Sequence, residues 1–165
     1  SANPDCRSRD LSTVRYRWIV HVVTELTEGE PVNQEYMSRK IAVTKKWNGL
    51  IAIDDFGAGY NSETVLLDME PDIIKVDMSL VQRIHEDPNR QLILNNILDF
   101  AGQNHITVLA EGVETKEELE FLIQCGVELF QGYYIGRPQM EIRPIDPYIV
   151  RKMQDFAQKS DFSQK

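Results

Sequence analysis

Short apolar runs alternate with longer amphipathic ones along most of this chain, and each apolar run carries or ends on a charged or amide residue. The apolar runs are WIVHVVTELTE (Trp18–Glu28), LIAID (50–54), DIIKVD (72–77), ITVLAE (106–111) and ELFQGYYIG (128–136). Between them the spacing predicts helices. One covers Asn33–Trp47, with Tyr36, Met37, Ile41 and Val43 as a rough apolar stripe and Asn48-Gly49 as stop and turn. A short one opens at Ser62 as N-cap, and Pro71 punctuates before the next strand. A long one covers Asn89–Gln103, with Leu92, Ile93, Ile97 and Phe100 at helical spacing. A fourth begins at a Thr115 cap with glutamates in its first turn and stops at Gly126. Residues 145–159 predict a terminal helix followed by a frayed polar end. Strand, helix, strand, repeated, requires parallel pairing with right-handed crossovers. The length of each unit suits a (β/α) barrel or an open doubly wound sheet. No G-x-G-x-x-G follows a strand, so nothing favours a dinucleotide fold.

With 165 residues, of which 42% are hydrophobic, the chain has enough material for one domain with its own core. A net charge of −8 argues against nonspecific binding to DNA or RNA. WIVHVV is far too short to span a bilayer, and the small polar residues at the start lack the apolar stretch of a signal peptide. Ser1-Ala2-Asn3 reads as a cloning remnant. Cys6 and Cys125 show no ligand-like spacing and are expected as reduced thiols of a cytoplasmic protein.

The carboxy-terminal edge of a parallel sheet is where ligands bind. Followed to their ends, the five strands bring Glu25, the pair Asp54-Asp55, Lys75, Glu111 with nearby Glu114, and Gln131 to one rim. A single polar strand end is simply a strand meeting solvent. Five in a row, three with acids directly after apolar runs, point to a shared task. Convergent oxygen donors suit hard cations such as Mg²⁺ or Mn²⁺. Two adjacent aspartates repel unless a cation lies between them and their partners. Two metals held by a bridging aspartate can activate water and steady the leaving oxygen of a phosphodiester.

DDFGAGY, IIKVDMSLV, LAEGVET and QGYYIGRP, in that order and spacing, resemble successive signatures of the EAL-domain family, bacterial phosphodiesterases that open cyclic di-GMP to linear pGpG. The resemblance runs from about Val22 to Pro138 and implies a metal-dependent cyclic di-GMP hydrolase of TIM-type barrel lineage. It implies metal ligands at Glu25, Asp54, Asp55 and Glu111, with Asp54 bridging. Lys75 would sit by the nucleophilic water and Gln131 near the metal-bound water, so that Lys75, Glu111 and Gln131 form the catalytic set. Glu114 would anchor the active-site loop, Phe56 to Ser62, in which Ala58 and Asn61 replace the more usual Thr and Ser. Arg137, before Pro138, would meet phosphate. His21, His85 and His105 are scattered and carry structural or surface roles. Trp18 and Trp47 are expected in core or edge packing, and Phe130, Tyr133 and Tyr134 along a strand.

The sequence contains no Glu-Ala-Leu tripeptide, which names the family and supplies a metal ligand, nor a segment resembling the one that carries the family's Asn ligand. The expectation is therefore α/β: an incomplete barrel of about five parallel strands with helices. Residues 1–17 would be an irregular N-terminal segment and 18–160 a truncated domain. Lost ligands would weaken metal binding and impair hydrolysis, and an open sheet edge invites self-association as a homodimer or larger oligomer. The competing expectation is a degenerate member that binds nucleotide or a protein partner without cutting.

Overall fold

The structure, a computed structural model, describes residues 23–26, 34–56, 70–141 and 143–163. Strands form where β-branched and apolar residues stand between turn signals: β1 (Val23–Leu26), β2 (Leu50–Phe56), β3 (Ile73–Val76), β4 (Thr107–Ala110) and β5 (Leu129–Phe130). They make one sheet in the order β1-β2-β3-β4-β5, every pair parallel. Among the described residues the sheet is open, with β1 and β5 at its edges. The loop Phe56–Ser62 beyond Phe56, the helix expected from Ser62, Trp18, His21 and Cys6 lie outside the described residues.

Helix α1 (Gln34–Lys46) ends at Asn48, whose positive φ of 54° makes the turn into Gly49. Its inward residue is not Val43, which is 57% exposed, but Thr44. Thr44 is buried because its hydroxyl has partners: Thr24 Oγ1 at 2.7 Å and the Lys40 carbonyl at 2.9 Å. Trp47, expected in packing, is instead 75% exposed beyond the last turn.

After β3, Asp77 caps a one-turn helix α2 (Met78–Val81) by accepting from Ser79 N at 2.8 Å. A 3₁₀ turn (Ile84–Glu86) then leads to α3 (Pro88–Asn104), capped by Asp87 with Pro88 in its first turn. Leu94, Ile97 and Ala101 are the buried positions of α3, whereas Leu92 and Ile93 face outward. The expected stripe is thus displaced around the helix, and Phe100 is only half-buried against the core. Helix α4 (Lys116–Cys125) starts in a capping box of Thr115 and Glu118 and stops at Gly126 with φ 96°. Helix α5 (Pro147–Ser163) keeps helical backbone to Ser163, well into the polar end expected to fray, and buries Ile149.

The core lies on one face of the sheet. Ile53, Phe56, Ile74, Val76, Val108 and Ala110 pack there against Leu80, Val81, Leu94, Ile97, Leu119 and Leu122 of the helices. Alternate strand residues such as Lys75, between Ile74 and Val76, point to the other face. Tyr133 and Tyr134 are not in a strand. β5 stops at Phe130, and residues 132–135 turn, with Ile135 N and Gly136 N both donating to Gly132 O at 3.1 Å.

Candidate metal centre

In β2, Ile53 pairs with Ile74 and Phe56 with Val76, so three steps on β2 match two on β3. The extra residue is a bulge at Asp54-Asp55, and Asp55 takes a left-handed φ of 57° to make it. Strict alternation would send Asp55 to the face of Ile53, and Phe56 away from it. The bulge returns Phe56 to the core with Ile53 and leaves both aspartates outside it. Aspartate is among the residues that tolerate the left-handed region best. The side-by-side carboxylates thus follow from a backbone irregularity placed at the strand's end.

Each strand end is extended by one backbone bond to its neighbour. Asp77 N donates to Phe56 O at 3.0 Å, Glu111 N to Val76 O at 3.0 Å, and Gln131 N to Ala110 O at 2.9 Å. Glu111 and Gln131 therefore have fixed backbones although they lie past their strands. Val113 clamps the same rim: its N–H donates to Gln131 O and its carbonyl accepts from Tyr134 N, both at 3.0 Å.

Lys75 stands in the middle, with 9% of its side chain exposed. Its Nζ lies 2.7 Å from Asp54 Oδ1, 2.8 Å from Glu111 Oε1 and 2.9 Å from Glu25 Oε1. Burial alone would lower its pKa. The hydrogen bonds to Asp54, Glu111 and Glu25 outweigh that and hold the ammonium well above the usual lysine range. Asp54, Asp55 and Glu111 also form a group whose ligand oxygens lie within 4.8 Å of one another. Three carboxylate oxygens at that spacing fit a hard divalent cation.

Of the residues expected at the site, Glu25, Asp54, Lys75 and Glu111 meet directly, and Asp55 joins Asp54 and Glu111. Glu25 is not in the three-acid group; its carboxylate meets Lys75. Gln131 and Glu114 are exposed and outside the acid group. Arg137 lies over the Tyr133 ring, 4.4 Å from its centroid. His85 Nε2 lies 3.6 Å from Glu86 Oε1, and His105 is the left-handed C-cap of α3.

Sequence reasoning missed Glu118. Its buried carboxylate accepts from Glu114 N and Thr115 N at 3.0 Å, and from Arg83 N, on the far side of α2, at 2.8 Å. The Thr115-x-x-Glu118 pattern announces the Thr115 bond, as half of a capping box. It does not announce the bonds from Glu114 N and Arg83 N.

The EAL domain model matches residues 9–138, beginning upstream of the Val22 boundary suggested by the motifs. A probable cyclic di-GMP phosphodiesterase of Escherichia coli, PdeG, is 41% identical over 120 residues, 72% of this chain and 24% of that protein. A standalone EAL protein from Vibrio cholerae, solved with cyclic di-GMP bound, superposes with a TM-score of 0.71 at 38% identity, over 78% of this chain and 55% of that one. Klebsiella pneumoniae BlrP1, solved with manganese and cyclic di-GMP, superposes with a TM-score of 0.66 at 39% identity, over 71% of this chain and 30% of that one. The chain spans about a quarter of PdeG and about half of the Vibrio protein. No helix among the described residues is long and apolar enough to cross a membrane. With four-fifths of its length matched and its rim acids gathered on consecutive parallel strands, the chain belongs to the EAL-domain family.

Proposed function

We propose that this rim binds cyclic di-GMP and hydrolyses one phosphodiester to give linear pGpG, with a divalent cation, Mg²⁺ or Mn²⁺, held by Asp54, Asp55 and Glu111. The observation that carries the reading is the meeting of Glu25, Asp54, Lys75 and Glu111, from four consecutive strands and strand ends, within hydrogen-bond distance. The names of the similar proteins, cyclic di-GMP phosphodiesterases and complexes, supply the substrate. A cation bound there would polarise the phosphodiester and lower the pKa of a water ligand.

The chain's own residues do the rest. The Lys75 ammonium, permanently charged and fixed by three acids, offsets part of the negative charge that would otherwise repel a dianionic dinucleotide. It also stands where a water attacking the phosphorus could be oriented. Gln131, with its backbone fixed by Ala110 and Val113, offers an amide to that water. Glu114 steadies the loop that follows β2, and the Arg137–Tyr133 pair presents a cation and an aromatic face to phosphate and base. No Glu-Ala-Leu stands in these 165 residues to add a ligand, which supports turnover by this chain that is impaired or absent.

Among the described residues, Val23 on β1 and Leu129 on β5 leave apolar surface at the two edges of the sheet, which supports self-association through them. A single monomeric species in sedimentation would contradict that part. The free thiol of Cys125 fits a cytoplasmic setting.

The test is incubation with cyclic di-GMP and Mn²⁺, with the linear product read by chromatography. Product that disappears with Asp54→Ala supports the phosphodiesterase. Saturable calorimetric binding without product transfers the chain to the non-cutting alternative, and neither binding nor product overturns both.

A further inference from the structure

The end of β4 is flanked by two exposed apolar side chains. On one side Glu111 N is bonded to Val76 O, and Met78 follows Val76 by two residues. On the other Gln131 N is bonded to Ala110 O, and Tyr133 follows Gln131 by two residues. Met78 is 44% exposed and Tyr133 54%. Glycines bring both segments close to the residues after Glu111. A Cβ on Gly112, whose φ is 67°, would collide with the Met78 Cβ. A Cβ on Gly132 would collide with the Val113 backbone. The stretch Glu111-Gly112-Val113 is thus held between the Met78 segment and the Tyr133 turn.

Resting on the phosphodiesterase reading above, we propose that Met78 is a specificity-determining residue: its thioether side chain is the apolar wall against which one guanine of the substrate packs. Tyr133 serves the other side of Glu111. Met78 takes no part in metal binding or proton transfer.

A large apolar side chain exposed singly needs no explanation. Placement is what distinguishes Met78. It opens α2 directly after β3, the strand that carries Lys75, and its Cβ rests on the residue next to Glu111. The side chains gathered at the strand ends beside it are Glu25, Asp54, Lys75 and Glu111, which suit a cation and a phosphate but offer nothing to the flat face of a base. A cyclic dinucleotide carries two bases, one on each side of its phosphodiester ring, and needs an apolar surface for each. Methionine suits this: its unbranched chain adapts to a ring, and its sulfur makes favourable contacts with aromatic edges. Its backbone is fixed, with Asp77 N bonded to Phe56 O at 3.0 Å and Gln82 N bonded to Met78 O at 2.9 Å, so only the side chain moves.

The experiment compares wild type, Met78→Ala, Met78→Gln and Met78→Leu with cyclic di-GMP and Mn²⁺, reading KM and kcat from the linear product and Kd from calorimetry. Each variant is first checked for native circular dichroism and for Mn²⁺ affinity, which should match the wild type. Met78→Ala and Met78→Gln should raise KM and Kd by about three- to tenfold and leave kcat within about twofold. Met78→Leu, which keeps the apolar volume, should stay within about twofold of the wild type in all three. If Met78→Ala does not fold, Met78→Gln and Met78→Leu decide. Unchanged KM and Kd in the Ala and Gln variants, a loss confined to kcat, or a Leu variant as weak as the Gln variant would overturn the proposal and leave the phosphodiesterase reading standing. If the wild type binds cyclic di-GMP without cutting it, the phosphodiesterase reading falls and Kd alone decides the role of Met78. A wild type that neither binds nor cuts cyclic di-GMP sinks both.

Discussion

The backbone N–H of Arg83 donates to the carboxylate of Glu118 at 2.8 Å, tying the turn after α2 to the first turn of α4. The same carboxylate accepts from Glu114 N and Thr115 N, so one buried side chain joins the segments that follow β3 and β4. Arg83 itself has a left-handed φ of 57°, a conformation that this bond helps to hold. Burial alone would raise the Glu118 pKa; the three backbone donors outweigh it and hold the carboxyl below the usual range.

Glu118→Ala should therefore destabilise the chain by about 2–4 kcal/mol, because three backbone donors lose their acceptor. That corresponds to a fall in Tm of about 5–15 °C at this chain length. Glu118→Gln keeps one acceptor oxygen and should cost less. The pKa is lowered on folding, so the stabilisation is present above the unfolded value of about 4.3 and is lost as pH falls through the folded one. Urea unfolding at pH 7 and pH 3 should show the gap between wild type and Glu118→Gln narrowing at the acid end.

Cys125 closes α4 and packs against the core, and burial pushes its thiol up. The thiolate is the reactive form, so native Cys125 should be a poor nucleophile at pH 8. In a Cys6→Ser variant, where Cys125 alone reports, a disulfide reagent should react at least about tenfold more slowly than in denaturing urea. Equal rates would mean that α4 and its neighbours open freely.

The repeating β and α units were legible because each strand is a β-branched run bounded by turn residues, and because Thr115 stands where a cap is needed; the caps Asp77 and Asp87 were not read from the sequence. Asp54, Asp55 and Glu111 were legible as strand-end acids. The bulge was not. A period of two in LIAIDDF puts Asp55 on the core face, and only the pairing of Phe56 with Val76 shows the extra residue. Likewise Phe130-x-x-Tyr133-Tyr134 looks like an extended aromatic run. Gly132, whose backbone presses on Val113, makes it a turn. Lys75 and Glu25 lie 50 residues apart, and no local pattern joins them. Leu92, Ile93 and Val43 match helical spacing but sit off the buried arc, because the choice of face is made by the sheet and not by the helix.

Lys75→Met should destabilise the chain by about 2–3 kcal/mol, since charge-assisted bonds to three acids are lost and the acids then repel one another. The folded pKa of Lys75 is raised, so its contribution is fully present below the unfolded value of about 10.4 and is lost only as pH rises through the folded one. Urea midpoints of wild type and variant should keep a constant separation between pH 6 and 9. The separation should shrink only above about pH 10.4. A separation that already collapses by pH 8 would contradict the three-acid cage.

Gly132 lies so close to the β4–α4 segment that a Cβ built on it falls inside the contact distance of the Val113 nitrogen, carbonyl carbon and oxygen. Those atoms are backbone, and the Val113 N–H and C=O are bonded to Gln131 O and Tyr134 N, so they cannot shift without breaking the rim's clamp. Gly132→Ala should therefore cost about 2–4 kcal/mol, from a steric clash plus two disturbed hydrogen bonds. It should also loosen Glu111, which begins the same segment, and so weaken Mn²⁺ binding as read by calorimetry. Gly136→Ala is the control: a Cβ there meets nothing within 4 Å, and its unfolding midpoint should match the wild type within error. If both alanine variants unfold with the wild type, the backbone of 131–134 does not rest on Val113, and the fixed position of Gln131 goes with it.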